Sequence, residues 1–596
     1  MKQFWTVSLG AFVGSLVALF AFSALTFVFT FIAIIGLASS ADSTTAPLIE
    51  DNSILYIDLD REIIERDNQS ADDIYTLMSG KRKTYVLAEL ISAINQAKDD
   101  DRIKGIYIKG DGSMSGITSS YEVRQALVDF KENAGKWIYA YADSYSQNDY
   151  YLASVADSLF VNPEGIIDMH GLYSSIPYYK GLLDNVGVQM QVFKVGKFKS
   201  AVEPYILDDM SNENRLQTNQ FLTSIWNTIK KDISASRGID VDELNSLADS
   251  VLMLKPVDFL ISKRLADGSC YEFEMDERLK ELTDIDPDDD LRMVTPKGLF
   301  LNKKSQRRSS NKIAVLYAYG EIDSNSPDQI VAKDMTECIL DAADDEDIKG
   351  LVMRVNSPGG SAFDSEQIWA ALEKYKKTDK PFVVSMGDYA ASGGYYISCG
   401  ANRIFAEPTT LTGSIGIFGM VPNLKNITTK IGLSLKTVST NSDNYMSIME
   451  PLTDFQKHEM QAMVNRGYEL FTSRCAEGRN MPIDSIKSIA EGRVWDGETA
   501  LKLGLVDEIG DIKAAISYVA NSLDIADDYN VVVMPEPVDF FTQFMNDYMQ
   551  EAGARLFSPE FDVVIDARKQ IERLVNSDRM QARFNCTVKL YLHFLV

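Results

Sequence analysis

Hydrophobic and polar positions divide the chain into distinct regimes. From Phe4 to Leu37 nearly every residue is apolar, and no charge stands between Lys2 and Asp42. A membrane-spanning helix needs about 20 apolar residues, whereas the apolar part of a cleavable leader takes about 7–15. Residues 1–41 are therefore predicted to be a transmembrane anchor, spanning through residues 4–37; the run Leu37-Ala38-Ser39-Ser40-Ala41 leaves cleavage by a signal peptidase open. Beyond the anchor, apolar runs of strand length alternate with amphipathic stretches of helical period. Ile313 to Tyr319, Gly350 to Val355 and Pro381 to Met386 read as strands. Lys333 to Ala343 and Ser365 to Lys376 read as helices, and another helix begins near Ser392. This alternation predicts an α/β fold with largely parallel sheets.

The pattern is written twice. DDDRIKG at 99–105 returns as DDEDIKG at 344–350, 245 positions on. The same displacement pairs Ile94 with Ile339, Asp143 with Asp388, Tyr150 with Tyr395, Phe160 with Phe405 and Gly187 with Gly432. SILYIDLDREI at 53–63 echoes KIAVLYAYGEI at 312–322 with an offset of 259, which implies a short insertion or deletion. Solenoid repeats have periods of about 20–50 residues, so this is a duplicated whole domain. The halves are placed at 42–290 and 312–536, with a linker at 291–311 in a polar, charge-blocked stretch. Residues 537–596 form a tail without a counterpart in the repeat; its apolar end, VKLYLHFLV, suits packing on a neighbouring subunit or locally.

Composition narrows the function. With 596 residues, 45% hydrophobic and 24% charged, the chain has the make-up of ordinary globular domains. A net charge of −27 excludes broad nucleic-acid binding, which needs a basic footprint. The cysteines at 270, 338, 399, 475 and 586 are odd in number and lack CxxC spacing, so neither a metal site nor a disulfide framework is expected. No organic cofactor is called for. The lone cation Lys2 before the span, against Asp42, Glu50 and Asp51 after it, puts the N-terminus in the cytoplasm. The body then lies outside, in the periplasm of a two-membrane bacterium.

Candidate chemistry lies where the copies disagree at loops. After one strand the second copy reads Asn356-Ser357-Pro358-Gly359-Gly360-Ser361, where the first has Asp111-Gly112-Ser113-Met114-Ser115-Gly116. Paired glycines let backbone N–H groups approach a ligand and hold an oxyanion. After the next strand comes Ala391-Ser392-Gly393-Gly394, a serine among small residues at a helix start, placed as a nucleophile or as a helix cap. Its counterpart in the first copy is Gln147. Neither His458 nor His593 falls near these loops, and His170 belongs to the other copy. A lysine held neutral by burial can replace histidine as base. Lys194, Lys197 and Lys199 cluster in the first copy, where the second has Ser439, Ser442 and Asn444. Each half thus lacks what the other supplies.

The segments VGKFKSAVEP, RVNSPGGSA, SMGDYAASGGYYIS, TLTGSIGIFG and GRVWDGETALKLGLVDEIG, in this order and with the anchor, resemble the signal peptide peptidase A family in its long, duplicated form. That resemblance implies two tandem Clp/crotonase-like domains and a membrane-anchored serine endopeptidase. It implies Ser392 as nucleophile, Lys199 among the three lysines as general base, and Ser414 as a supporting residue. It places oxyanion donors among Gly359, Gly360 and Gly393. It further implies a bowl-shaped homotetramer acting on signal peptides left after signal peptidase cleavage. Two other readings stay open from sequence: a crotonase-type acyl-CoA enzyme and a non-catalytic membrane scaffold.

Overall fold

The structure, a computed structural model, describes residues 48–66, 84–110, 112, 115–302, 309–326, 329–441 and 446–535. Each half builds its own hydrophobic core on its own sheet. In the first sheet the strands lie side by side in the order Gly268–Ser269, Ser158–Ile167, Trp137–Tyr145, Ile103–Gly110, Ser53–Asp58 and Met293–Val294, all parallel. In the second the order is Val494–Asp496, Leu411–Gly413, Phe382–Ala391, Ile348–Ser357, Lys312–Tyr319 and Asn530–Met534. Only the pairing of Leu411–Gly413 with Val494–Asp496 is antiparallel there among the described strands. The strand Ile348–Ser357 is buried at nearly every position, as a central parallel strand covered on both faces should be.

The duplication is visible in the elements. Helix Leu87–Asp99 recurs as Ala332–Asp344, strand Ile103–Gly110 as Ile348–Ser357, and strand Trp137–Tyr145 as Phe382–Ala391. Each second copy starts 245 residues after the first.

The stretch 291–311, expected to be linker, is partly built into the first half. Met293–Val294 pairs with Ile54 and Leu55 at the sheet edge, and Thr295 caps a helix, Pro296–Leu301, whose Leu299 is buried. A few apolar side chains in a charged stretch found a groove to bury in, which the charge pattern concealed. The predicted anchor through residues 4–37 and the tail at 537–596 lie outside the described residues. Among the described residues no helix is long and apolar enough to cross a membrane.

The halves interlock. Gln189–Lys194 of the first pairs antiparallel with Phe418–Asn423 of the second, and its Phe193 is buried in the second core. Buried Arg354 donates to Glu65 (2.7 Å) and to Glu122 (2.6 Å), both from the first half. Helix Ile117–Asn133 begins after Gly116, which has no side chain to cap it. Asp388 of the other half does so, accepting the Thr118 N–H (2.7 Å) and the Ser119 hydroxyl (3.0 Å). That aspartate stands four residues before Ser392, on the strand that leads into it.

Candidate active site

Ser392 occupies a sharp turn between strand Phe382–Ala391 and helix Gly393–Ser398, with φ 55° and ψ −118°. A residue with a Cβ held there stores roughly 1–3 kcal/mol of strain, which the surroundings must offset. They do so by bonding both its peptide groups: its N–H donates to Gly413 O, and its carbonyl accepts the Tyr396 N–H, both at 2.9 Å. The glycines beyond it are required by space. A Cβ on Gly393 would sit 2.6 Å from Ser365 Oγ, and one on Gly394 2.6 Å from Ser357 O.

Lys199 arrives from the first half, five residues past the cross-half ribbon. It runs flush against the second half: a Cβ on Gly492 would fall 2.6 Å from Lys199 Cβ. The side chain is 4% exposed. Its Nζ lies 3.1 Å from Ser392 Oγ and donates to Ser414 O (3.1 Å) and Ser414 Oγ (2.9 Å). No carboxylate among the described residues offsets the burial, so desolvation pulls this amine from 10.5 down to about 7. The other two lysines go elsewhere. Lys194 reaches the Lys199 carbonyl, at 3.4 Å, and exposed Lys197 lies 3.8 Å from Glu491.

Ser414 is itself held at φ 50°, with its N–H donating to Arg493 O at 2.7 Å. Gly359 and Gly360 adopt φ 101° and 154°, and the turn they make packs on Ser392: a Cβ on Gly359 would lie 2.7 Å from Ser392 Cβ. The three candidate donors differ. The Gly359 N–H is directed at Ser357 Oγ (3.2 Å), whereas those of Gly360 and Gly393 have no acceptor among the described residues. Beside them runs a cleft with apolar walls from Ala362, Tyr396, Ile417, Phe418 and Phe471.

The remaining sequence candidates stand apart. His170 is exposed and paired with Asp168 at 2.9 Å, and His458 is exposed on helix Asp454–Gly478. Gln147, the counterpart of Ser392, fills its own turn: Oε1 accepts the N–H groups of His170 (2.9 Å) and Gly171 (2.8 Å). Asn444 and Ser442, which face Lys199 and Lys197 in the repeat, lie outside the described residues, as do His593 and Cys586. Cys270, Cys399 and Cys475 are buried free thiols, and Cys338 is a half-buried one. Sequence reasoning missed Asp388, Phe471 and Gln217, a buried helix residue whose Nε2 donates to Phe198 O and Ser200 Oγ on either side of Lys199. Asp388 stood inside a quoted motif, but Gln217 and Phe471 are ordinary helix positions with no local signal.

Known proteins match the same regions. The model of peptidase family S49 matches residues 131–267 and 374–526, one segment in each half. Protease 4 of Haemophilus influenzae is 33% identical over 532 residues, covering 87% of this chain and 86% of that protein. Protease 4 of Salmonella typhi is 35% identical over 463 residues, covering 75% and 74%. The chloroplastic serine protease SPPA of Arabidopsis thaliana is 29% identical over 452 residues, covering 74% and 66%. A solved ClpP1 mutant from Listeria monocytogenes, 16% identical, covers 34% of this chain and 94% of its own at a TM-score of 0.24. The acyl-CoA and scaffold readings give way to these matches: the chain belongs to peptidase family S49 and is a serine peptidase.

Proposed function

We propose that Ser392 is the nucleophile and Lys199 the general base of a membrane-anchored endopeptidase that degrades cleaved signal peptides and other apolar peptides. The observation that carries this reading is the buried Lys199 Nζ at 3.1 Å from Ser392 Oγ, with no carboxylate among the described residues to keep it charged. A neutral amine has two N–H groups and one lone pair. Two acceptors on Ser414 take the N–H groups, which leaves the lone pair for the Ser392 hydroxyl proton. As that proton moves to Lys199, Ser392 Oγ bonds to the peptide carbonyl carbon. The developing oxyanion meets the free N–H groups of Gly360 and Gly393, with Gly359 shaping their turn. The Lys199 ammonium then gives its proton to the leaving amine, and water repeats the sequence on the acyl-enzyme.

The apolar cleft of Tyr396, Ile417, Phe418 and Phe471 supports apolar side chains next to the scissile bond. The uncharged run at 4–37 supports anchoring in the bacterial inner membrane, with the body on the extracytoplasmic side. The family resemblance supports a homotetramer. Full-length Ser392→Ala and Lys199→Met proteins, incubated with an apolar peptide, should be inactive while keeping the wild-type assembly by sedimentation. Substantial turnover by either variant refutes its assigned role, and an active Lys199→Met protein points to Lys194 or Lys197.

A further inference from the structure

A lysine amine sits at the end of four rotatable bonds, so its approach to Ser392 depends on where the backbone of residue 199 is held. That backbone belongs to one half and the serine to the other. Lys199 precedes a single short turn, Ser200–Val202, and no regular element runs through it. Something must fix it against the second half.

Gln217, on helix Asn212–Arg237, is 2% exposed and makes contacts that no ordinary core glutamine needs. Its Nε2 donates to Phe198 O (3.1 Å) and Ser200 Oγ (3.0 Å), the residues on either side of Lys199. Its Oε1 accepts the N–H of Val494, in the second half, at 3.2 Å. Val494 follows Arg493, whose carbonyl holds the Ser414 N–H, and Ser414 holds the amine. One amide therefore touches both sides of Lys199 and the second-half strand that starts right after Arg493, the residue whose carbonyl holds Ser414. The amide is itself oriented by Asn214, whose Oδ1 lies 3.3 Å from Gln217 Nε2 and whose Nδ2 donates to buried Glu203 at 3.1 Å. We infer that Gln217 is a positioning residue that clamps Lys199 to the second half and so sets the distance between the base and Ser392. This rests on the Ser392/Lys199 reading proposed above.

The test uses the full-length protein with Gln217→Leu, Gln217→Glu or Ser200→Ala, assayed on an apolar peptide from about pH 5.5 to 9.5. A displacement of the base by a fraction of an ångström should lower kcat roughly 10- to 100-fold, with KM within about twofold of wild type. The acidic limb of the rate profile should also move to higher pH, because an amine that loses its seat regains water. Gln217→Glu should move it furthest, since it adds a negative charge. Ser200→Ala removes a single acceptor and should give the same shifts at roughly two- to fivefold in kcat. A purely structural role would instead lower the melting temperature and leave kcat per folded molecule and the pH limb unchanged, and that result overturns the inference. Should the Gln217 variants fail to fold, an unshifted limb in Ser200→Ala overturns it equally. Lys199→Met, run alongside, separates the two claims. If it retains turnover the dyad itself falls; if it is inactive while the Gln217 variants behave as wild type, only the clamp falls.

Discussion

Replacing Lys199 with methionine should make the protein not only inactive but more stable, by an amount that depends on pH in a set direction. In the folded chain burial brings the amine down from 10.5 to about 7. Below pH 7 both the folded and unfolded chains hold the proton, and the folded state carries the whole penalty of a buried ammonium. Between 7 and 10.5 the unfolded chain holds a proton that the folded one has released, so stability rises with pH across that window. Above it both forms are neutral and the penalty is gone. A fall of about 3.5 corresponds to about 5 kcal/mol. Methionine removes that penalty and fills a similar volume, but it leaves the Ser414 carbonyl without its donor, which costs about 1–3 kcal/mol. The variant should therefore be more stable by roughly 2–4 kcal/mol below neutral pH. The advantage should shrink as pH rises above 7 and reverse before 10.5, where only the roughly 1–3 kcal/mol cost of the undonated carbonyl remains. A chain of this size need not unfold in one step, so the quantity to follow is the difference between the two melting temperatures. It is measured at matched pH values from about 6 to 10. A difference that stays constant, or shifts further in the variant's favour as pH rises, would refute the idea that Lys199 is an amine stripped of its proton by burial.

Two further outcomes follow from the same geometry. For the wild-type enzyme, kcat/KM should climb with pH through about 7 and then level off, because the base must be neutral to accept the serine proton; a profile already level at acidic pH would contradict it. Gly360→Ala puts a Cβ 2.3 Å from Ile322 O at φ 154°, so the turn must shift and take its N–H with it. We expect kcat to fall at least about 100-fold, with peptide binding retained by KM or by inhibition, and an active Gly360→Ala enzyme would remove Gly360 from the oxyanion site.

What was legible in the sequence was what local physics writes there. A strand covered on both faces is largely apolar, so Gly350 to Val355 read as a strand despite Arg354, and the 245-residue displacement then located its twin. Ser392 was legible because the two copies share a framework and differ at that turn. The choice among Lys194, Lys197 and Lys199 was not legible from spacing. What separates them is burial, and burial of Lys199 is produced by Gly416, Gly492 and Ser414, more than two hundred residues away. Gln217 was hidden for the same reason: on its own helix it is one polar position among many.

Those hidden contacts have a common direction, which is from one half to the other. On the proposed assignment neither half holds a complete site, since Lys199 and Gln217 lie in the first and Ser392, Ser414 and the candidate donor glycines in the second. The reaction geometry is therefore only as good as the registry between the halves. This gives a reason for keeping Arg354 buried between Glu65 and Glu122. A buried ion pair adds little net stability over well-packed apolar residues, because desolvation takes back most of the Coulombic gain. What it does add is a large penalty for any docking that leaves one charge unpaired, about 3–5 kcal/mol for each broken pair. Arg354 stands on the strand that leads into Gly359 and Gly360, and Asp388, which caps a first-half helix, stands on the strand that leads into Ser392. Both strands that lead into the Gly359–Gly360 turn and into Ser392 are thus tied to the half that carries Lys199. A misdocked pair of halves would lose these contacts and the catalytic distance together.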